Sequence, residues 1–143
     1  KTLAPALCVD LASLNHKAAQ KAFRLSAFVP ASEYALKGSE LLDGRDKWKL
    51  NHDLAVSICT LAARACYSAG NSSRSLEMIC EVVEHGTTAL DTLPAQMLEA
   101  FMLGDSGDLT GAISKVKQIV RLHAGYKFPE KPSFVRVVLA VIS

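Results

Sequence analysis

Apolar residues recur three and four apart through most of the chain. Leu54, Ile58, Leu61 and Ala65 step by four, three and four, which places them on one face of a helix. Ala55, Cys59, Ala62 and Cys66 form a second apolar stripe beside it. A helix apolar on two sides has to be covered on two sides, so this segment belongs in the middle of a stack. Leu93, Met97, Phe101 and Gly104 share one face, and so do Ile113, Val116, Val120 and His123; Leu76, Ile79 and Val83 make a further stripe. Period-two alternation runs nowhere over a useful length, and no Asn-Gly or Asp-Gly turn sits between β-branched runs. Breakers at Pro30, Gly44, Gly70-Asn71, Gly86, Pro94, Gly104 to Gly107, and Gly125 with Pro129 and Pro132 divide the pattern. The spacing predicts an all-α chain with helices near 3–13, 15–26, 31–42, 50–69, 73–86, 93–103, 109–124 and 133–143.

Two of the breaks look alike. Cys66-Tyr67-Ser68-Ala69-Gly70-Asn71 and Leu103-Gly104-Asp105-Ser106-Gly107-Asp108-Leu109 each follow a helix, and a small residue (Ser75, Ala112) stands five positions past each glycine. Gly70 and Gly107 lie 37 positions apart, close to the period of about 34 in tetratricopeptide repeats. Helices that cross closely need small side chains at the crossing and larger ones where they diverge. In the middle unit Ala62, Ala63 and Ser75 are small, with Ile79 and Val82 for the wider gap. In the last unit Ala100 and Ala112 are small, and Leu103, Leu109, Val116 and Ile119 are large. An earlier unit carries Ala18, Ala19, Ala22 and Ala31, with Phe28 at its turn and an insertion from Asp43 to Leu50 before the next. Glu99 falls where such a unit usually has an apolar residue. The expected architecture is a set of antiparallel hairpins stacked as a TPR-like α-solenoid, one domain over residues 1–143.

Ala27-Phe28-Val29-Pro30-Ala31-Ser32-Glu33-Tyr34, then Gly38-Ser39-Glu40-Leu41-Leu42, Trp48 and His52-Asp53-Leu54 follow one another in a recognisable order. With Ala69-Gly70-Asn71 and the stretch Gly125-Tyr126-Lys127-Phe128-Pro129-Glu130-Lys131-Pro132, they resemble the tetratricopeptide-like helical-repeat region of large STAND-type signalling ATPases. The similarity covers about Leu11 to Pro132. It implies a regulatory, protein-binding role in a cytoplasmic signalling protein of the multidomain kinase or hybrid histidine-kinase type. Composition and periodicity do not themselves show this. The chain begins at Lys1 and stops within the apolar run Phe134 to Ile142, so it reads as a piece of a longer protein.

Charge and composition narrow the partners. A net charge of +2 gives no dense basic stripe for nucleic acid, and 6% aromatics leave few stacking platforms. Phe134 to Ile142 is interrupted by Arg136 and is shorter than the roughly 20 residues a membrane span needs. Cys8, Cys59, Cys66 and Cys80 fall within apolar helical patterns and read as buried free thiols. Asn71-Ser72-Ser73 is a formal glycosylation sequon, but its residues also make a good helix N-cap.

No catalytic reading survives. Gly104-Asp105-Ser106-Gly107 resembles a serine-nucleophile loop, yet it needs a His, an acid and an oxyanion hole in another fold. Cys59 with Cys66, and Cys80 with His85, lack the close pairing of a zinc site. Asp43-Gly44-Arg45-Asp46 lacks the alternating ligands of a calcium loop, and no phosphate-cradling glycine motif occurs. Trp48 reads as a plug beside the inserted stretch. No enzyme activity and no cofactor are therefore expected.

The expected role is a non-catalytic protein-interaction scaffold that binds along the first helix of each hairpin. On that register the groove residues are His16, Gln20, Phe23, Thr60, Arg64, Tyr67, Met97 and Phe101, with Arg64 placed to accept a carboxylate. The partner would be a protein, a peptide or adjacent domains of the same chain. The alternative is a self-contained helical domain holding a small ligand in its core.

Overall fold

A computed structural model of the chain describes residues 3–43 and 46–125. Among these residues it is all-helical, without strands. Helices α1 (Pro5–Arg24) and α2 (Phe28–Leu42) form one hairpin, joined through the single turn α3 (Lys47–Leu50) to a second. That second hairpin is α4 (His52–Ser68) with α5 (Ser72–His85), and the third is α6 (Ala89–Asp105) with α7 (Leu109–Ala124). Neighbours pack in chain order, α1 on α2, α2 on α4, α4 on α5, α5 on α6 and α6 on α7. The first helices also touch one another, α1 with α4 and α4 with α6.

The turns inside the three hairpins are built alike. Ser26, Gly70 and Gly107 each take left-handed backbone, at φ 58°, 87° and 92°. Beyond each, Ala27 N–H donates to Ala22 O (2.9 Å), Asn71 N–H to Cys66 O (2.8 Å) and Asp108 N–H to Leu103 O (2.9 Å). The left-handed residues themselves donate to the carbonyls of Phe23, Tyr67 and Gly104. Together these bonds make the Schellman closure that satisfies the last helical carbonyls. The next helix then starts two positions after the left-handed residue, at Phe28, Ser72 and Leu109. Asn71 and Asp108 cap it, accepting from the N–H of Arg74 at 3.1 Å and of Gly111 at 2.8 Å. Asn71 thus has the capping role that its place before the helix predicts; Ala27 has no side-chain oxygen to do the same.

Small residues fill the crossings. Ala19, Ala31, Ala62, Ala63 and Ser75 are fully buried, and Ser75 Oγ donates to Ala63 O at 2.8 Å. A Cβ on Gly38 would meet Ala12 O at 3.3 Å and Ile58 Cδ1 at 3.4 Å, so α2 lies tight against both α1 and α4. Ile58, Met78, Ile79 and Val82 supply the bulk of the core, each worth about 1.5–3 kcal/mol relative to exposure. Trp48 packs against both apolar clusters and stacks on His85 at 4.7 Å, so it fills the space beside the inserted stretch. Glu99 is paired with Lys115 at 2.7 Å, which accounts for a carboxylate at an otherwise apolar place.

Several expectations change. The segments 3–13 and 15–26 are one helix, because Asn15 does not cap; its Nδ2 donates back to Leu11 O at 2.8 Å. The helix expected from 93 begins at Ala89, where Thr88 and Asp91 form a capping box and Pro94 sits inside the helix. On α5 the buried stripe is Ser75, Met78, Ile79 and Val82, while Leu76, Val83 and Cys80 face outward. Cys8, Cys59 and Cys66 are buried free thiols as expected; Cys80 is exposed. On α7 only Ile119 is buried, and Leu109, Ile113 and Val116 are exposed, because no further helix covers that side among the described residues. The expected helix 133–143 lies outside the described residues, as do Gly44, Arg45 and the stretch 126–132. Among the described residues no helix is long and apolar enough to cross a membrane.

Candidate functional site

Helical periodicity aims three short sets of side chains at one another. His16, Gln20, Phe23 and Arg24 share a face of α1; Ser57, Thr60, Leu61 and Arg64 share a face of α4. Leu90, Asp91 and Pro94 come from the first turns of α6. Together they line an open surface groove of about 750 Å³. Of the residues expected at a binding face, His16, Gln20, Phe23, Thr60 and Arg64 are brought together there. Tyr67, Met97 and Phe101 do not line it. They lie further along α4 and α6, where the Tyr67 and Phe101 rings meet edge to face at 6.0 Å and the Tyr67 hydroxyl donates to Asp105. That bond pushes the Tyr67 phenol up. Met97 and Phe101 are exposed.

The groove is electrostatically one-sided. The Arg64 guanidinium lies 4.8 Å from the centre of the Phe23 ring, a cation–π contact that positions the charge without neutralising it. Neither Arg24 nor Arg64 has an ion pair among the described residues. Burial pushes His16 down, favouring its neutral form, so the two arginines carry the cationic character. Thr60 Oγ1 is buried without a hydrogen-bond partner among the described residues. The one carboxylate in the lining, Asp91, is already engaged. It accepts from His52 Nε2 at 2.9 Å and from the N–H groups of Thr87 and Thr88 at 2.9 and 3.1 Å. The His52 bond first, then the Thr87 N–H, hold its carboxyl well below the usual carboxylate range.

The wall from Leu90 to Pro94 was not legible as groove, because Pro94 read as a helix breaker. The signal that points to it is Thr88-x-x-Asp91, a capping box ahead of Pro94. Pro94 has no N–H to give Leu90 O, yet the cap holds the first turn.

Other chemistry-bearing residues are tied into structure. Ser106 closes a helix, donating to Leu103 O at 2.8 Å. Lys47 is buried, donating to Ser39 Oγ (3.2 Å), Asp43 (2.7 Å) and Glu81 (2.9 Å), and Ser39 Oγ stands 3.6 Å from Cys59 Sγ. A Ser–Lys pair needs a neutral amine. Burial opposes the Lys47 ammonium, but its bonds to Asp43 and Glu81 outweigh that and push it up. Burial likewise pushes the Cys59 thiol up, away from reactive thiolate. Among the described residues no three His, Cys, Asp or Glu side chains are placed to hold a metal ion.

Comparison with protein-family models, with curated proteins and with solved structures gives no match.

Proposed function

We propose that the chain is a TPR-like α-solenoid segment that holds an extended, carboxylate-bearing peptide of a protein partner in the groove between α1, α4 and α6. The observation that carries this is the pairing of two cationic side chains without carboxylate partners among the described residues with an apolar floor of Phe23 and Leu61. A planar guanidinium already oriented by an aromatic ring suits bidentate recognition of a carboxylate. Like turns repeated in three hairpins support the repeat reading. The groove opens at the surface, which favours a chain-like occupant over a small ligand enclosed in the core.

On this reading the role is contact, not catalysis. Repeats touch mainly their neighbours, so a small twist per hairpin redirects what lies at either end. The resemblance to the repeat region of STAND-type signalling ATPases adds a cytoplasmic setting and a coupling role between a nucleotide-driven switch and downstream modules. A phosphate-binding loop in the same open reading frame would bear that part out, and a full-length frame without one would remove it.

Fluorescence anisotropy with an array of labelled Glu-containing decapeptides tests the groove. Arg64→Glu replaces attraction with repulsion at a charge-assisted contact worth about 1.5–3 kcal/mol. Binding is expected to weaken by about tenfold or more, whereas Tyr67→Ala, outside the cavity, should leave it unchanged. Unchanged affinity in Arg64→Glu would remove the groove as the binding face.

A further inference from the structure

His52 is held between groups that only accept. Its Nδ1 is 3.1 Å from Trp48 O, and its Nε2 is 2.9 Å from Asp91 Oδ2. A neutral imidazole has one N–H, so either neutral tautomer would aim a lone pair at an oxygen lone pair. Only the imidazolium satisfies both contacts. The tie spans 39 positions of sequence and joins the start of α4 to the start of α6.

The opposite ends of the same two helices are tied separately, by Tyr67 to Asp105 and by the Tyr67–Phe101 ring contact. Helix α6 is thus fastened to α4 at two points, and the groove wall of Leu90, Asp91 and Pro94 belongs to the His52 end. A neutral partner also stands ready. Thr87 Oγ1 is 3.3 Å from His52 Nε2 and 3.2 Å from Asp91 Oδ2. With Nδ1–H kept on Trp48 O, a deprotonated Nε2 rejects the Asp91 carboxylate and accepts from the Thr87 hydroxyl instead.

We propose that His52 is a proton-controlled clasp: protonated, it holds the α6 wall of the groove tightly against α4 through the Asp91 carboxylate, and deprotonated, it loses that charge-assisted bond and keeps only the weaker one from Thr87, so that end of α6 loosens. The charged and titratable groups around it are consistent with the protonated state as the closed one. Asp91 faces it from α6 and Asp53 adds a favourable field from its own helix. From α3, Trp48 meets its ring edge to face at 6.2 Å, and Lys47 is neutralised by Asp43 and Glu81. On α5, His85 stacks on Trp48 and gives its Nδ1–H to Glu81 O at 3.0 Å. Across the groove Arg24 and Arg64 line the same cavity as Asp91 and form no ion pair with it among the described residues. The proposal does not depend on what occupies the groove.

The test is a histidine-ring ¹H–¹⁵N correlation titration of the uniformly labelled chain from about pH 5.5 to 9. Below its midpoint His52 should show both nitrogens protonated, and that midpoint should lie above the ordinary histidine value. The Leu90 and Asp91 amides should move with that midpoint, and the Asp105 amide should not. Asp91→Asn, which keeps a capping oxygen, should bring the midpoint down toward the ordinary histidine value. A midpoint at or below the ordinary histidine value would overturn the clasp. So would α6 amides indifferent to the His52 midpoint, in the unsubstituted chain, where folding is not in question.

Discussion

Ser26 occupies the left-handed position that glycine fills at Gly70 and Gly107. A Cβ in that region costs roughly 1 kcal/mol, so Ser26→Gly should stabilise the chain by about 0.5–1 kcal/mol, read by urea denaturation. Gly70→Ala and Gly107→Ala should lose about 1 kcal/mol each by the same measurement, with open space around both showing that backbone, not crowding, is the cause. Ala63 behaves differently. It is fully buried with its carbonyl engaged by Ser75, so Ala63→Leu overpacks the crossing and should cost about 1–3 kcal/mol in thermal unfolding. These small positions and glycines were readable from the sequence because the physics behind them is local. The Lys47 cluster was not, since Glu81 lies 34 positions away on α5 and only the fold brings it to Lys47 beside Ser39 and Asp43.

At the scale of the element, helix identity was legible and helix limits were not. The break expected between 13 and 15 is absent, with Asn15 bonded back to Leu11 inside one helix, and Pro94, a breaker in the pattern, lies inside a helix whose cap is Thr88. Thr88→Ala should therefore destabilise by about 1 kcal/mol and fray the groove wall, seen as faster amide exchange at Leu90 to Thr92. Of the stripe expected on α5 only Ile79 is buried, and on α7 Ile113 and Val116 face outward, because hydrophobic residues on the outer face share the helical period with those on the inner one. The junction of α4 with α6 also sets a pH window. His52 is pushed up by its Asp91 bond, so its contribution is complete below the ordinary histidine value and is lost as pH rises through the folded value. Asp91 is pushed down, so its contribution is present above the ordinary carboxylate value and is lost as pH falls through the folded one. Stability measured across pH should accordingly decline on both sides, and in His52→Gln the alkaline decline should flatten.

At the scale of the whole molecule, three hairpins with like turns bring their first helices together, and that convergence creates a groove no single hairpin contains. The sequence pointed to those first helices, and five of its eight expected residues meet in the groove. The remaining three, Tyr67, Met97 and Phe101, share the helices but not the cavity, because α4 and α6 are joined there by the Tyr67–Asp105 bond. What sequence periodicity could not supply was the third wall, which depends on how α6 is laid across the start of α4. Titrating the ¹⁵N-labelled chain with a Glu-rich decapeptide carrying one Leu, and following backbone amide shifts, reads the groove as a unit. Shifts clustered at His16 to Arg24, Ser57 to Arg64 and Leu90 to Leu93, and lost in Arg64→Glu, are the expected result. Shifts confined to α2, α5 or α7, or a saturating response that Arg64→Glu leaves intact, would contradict it.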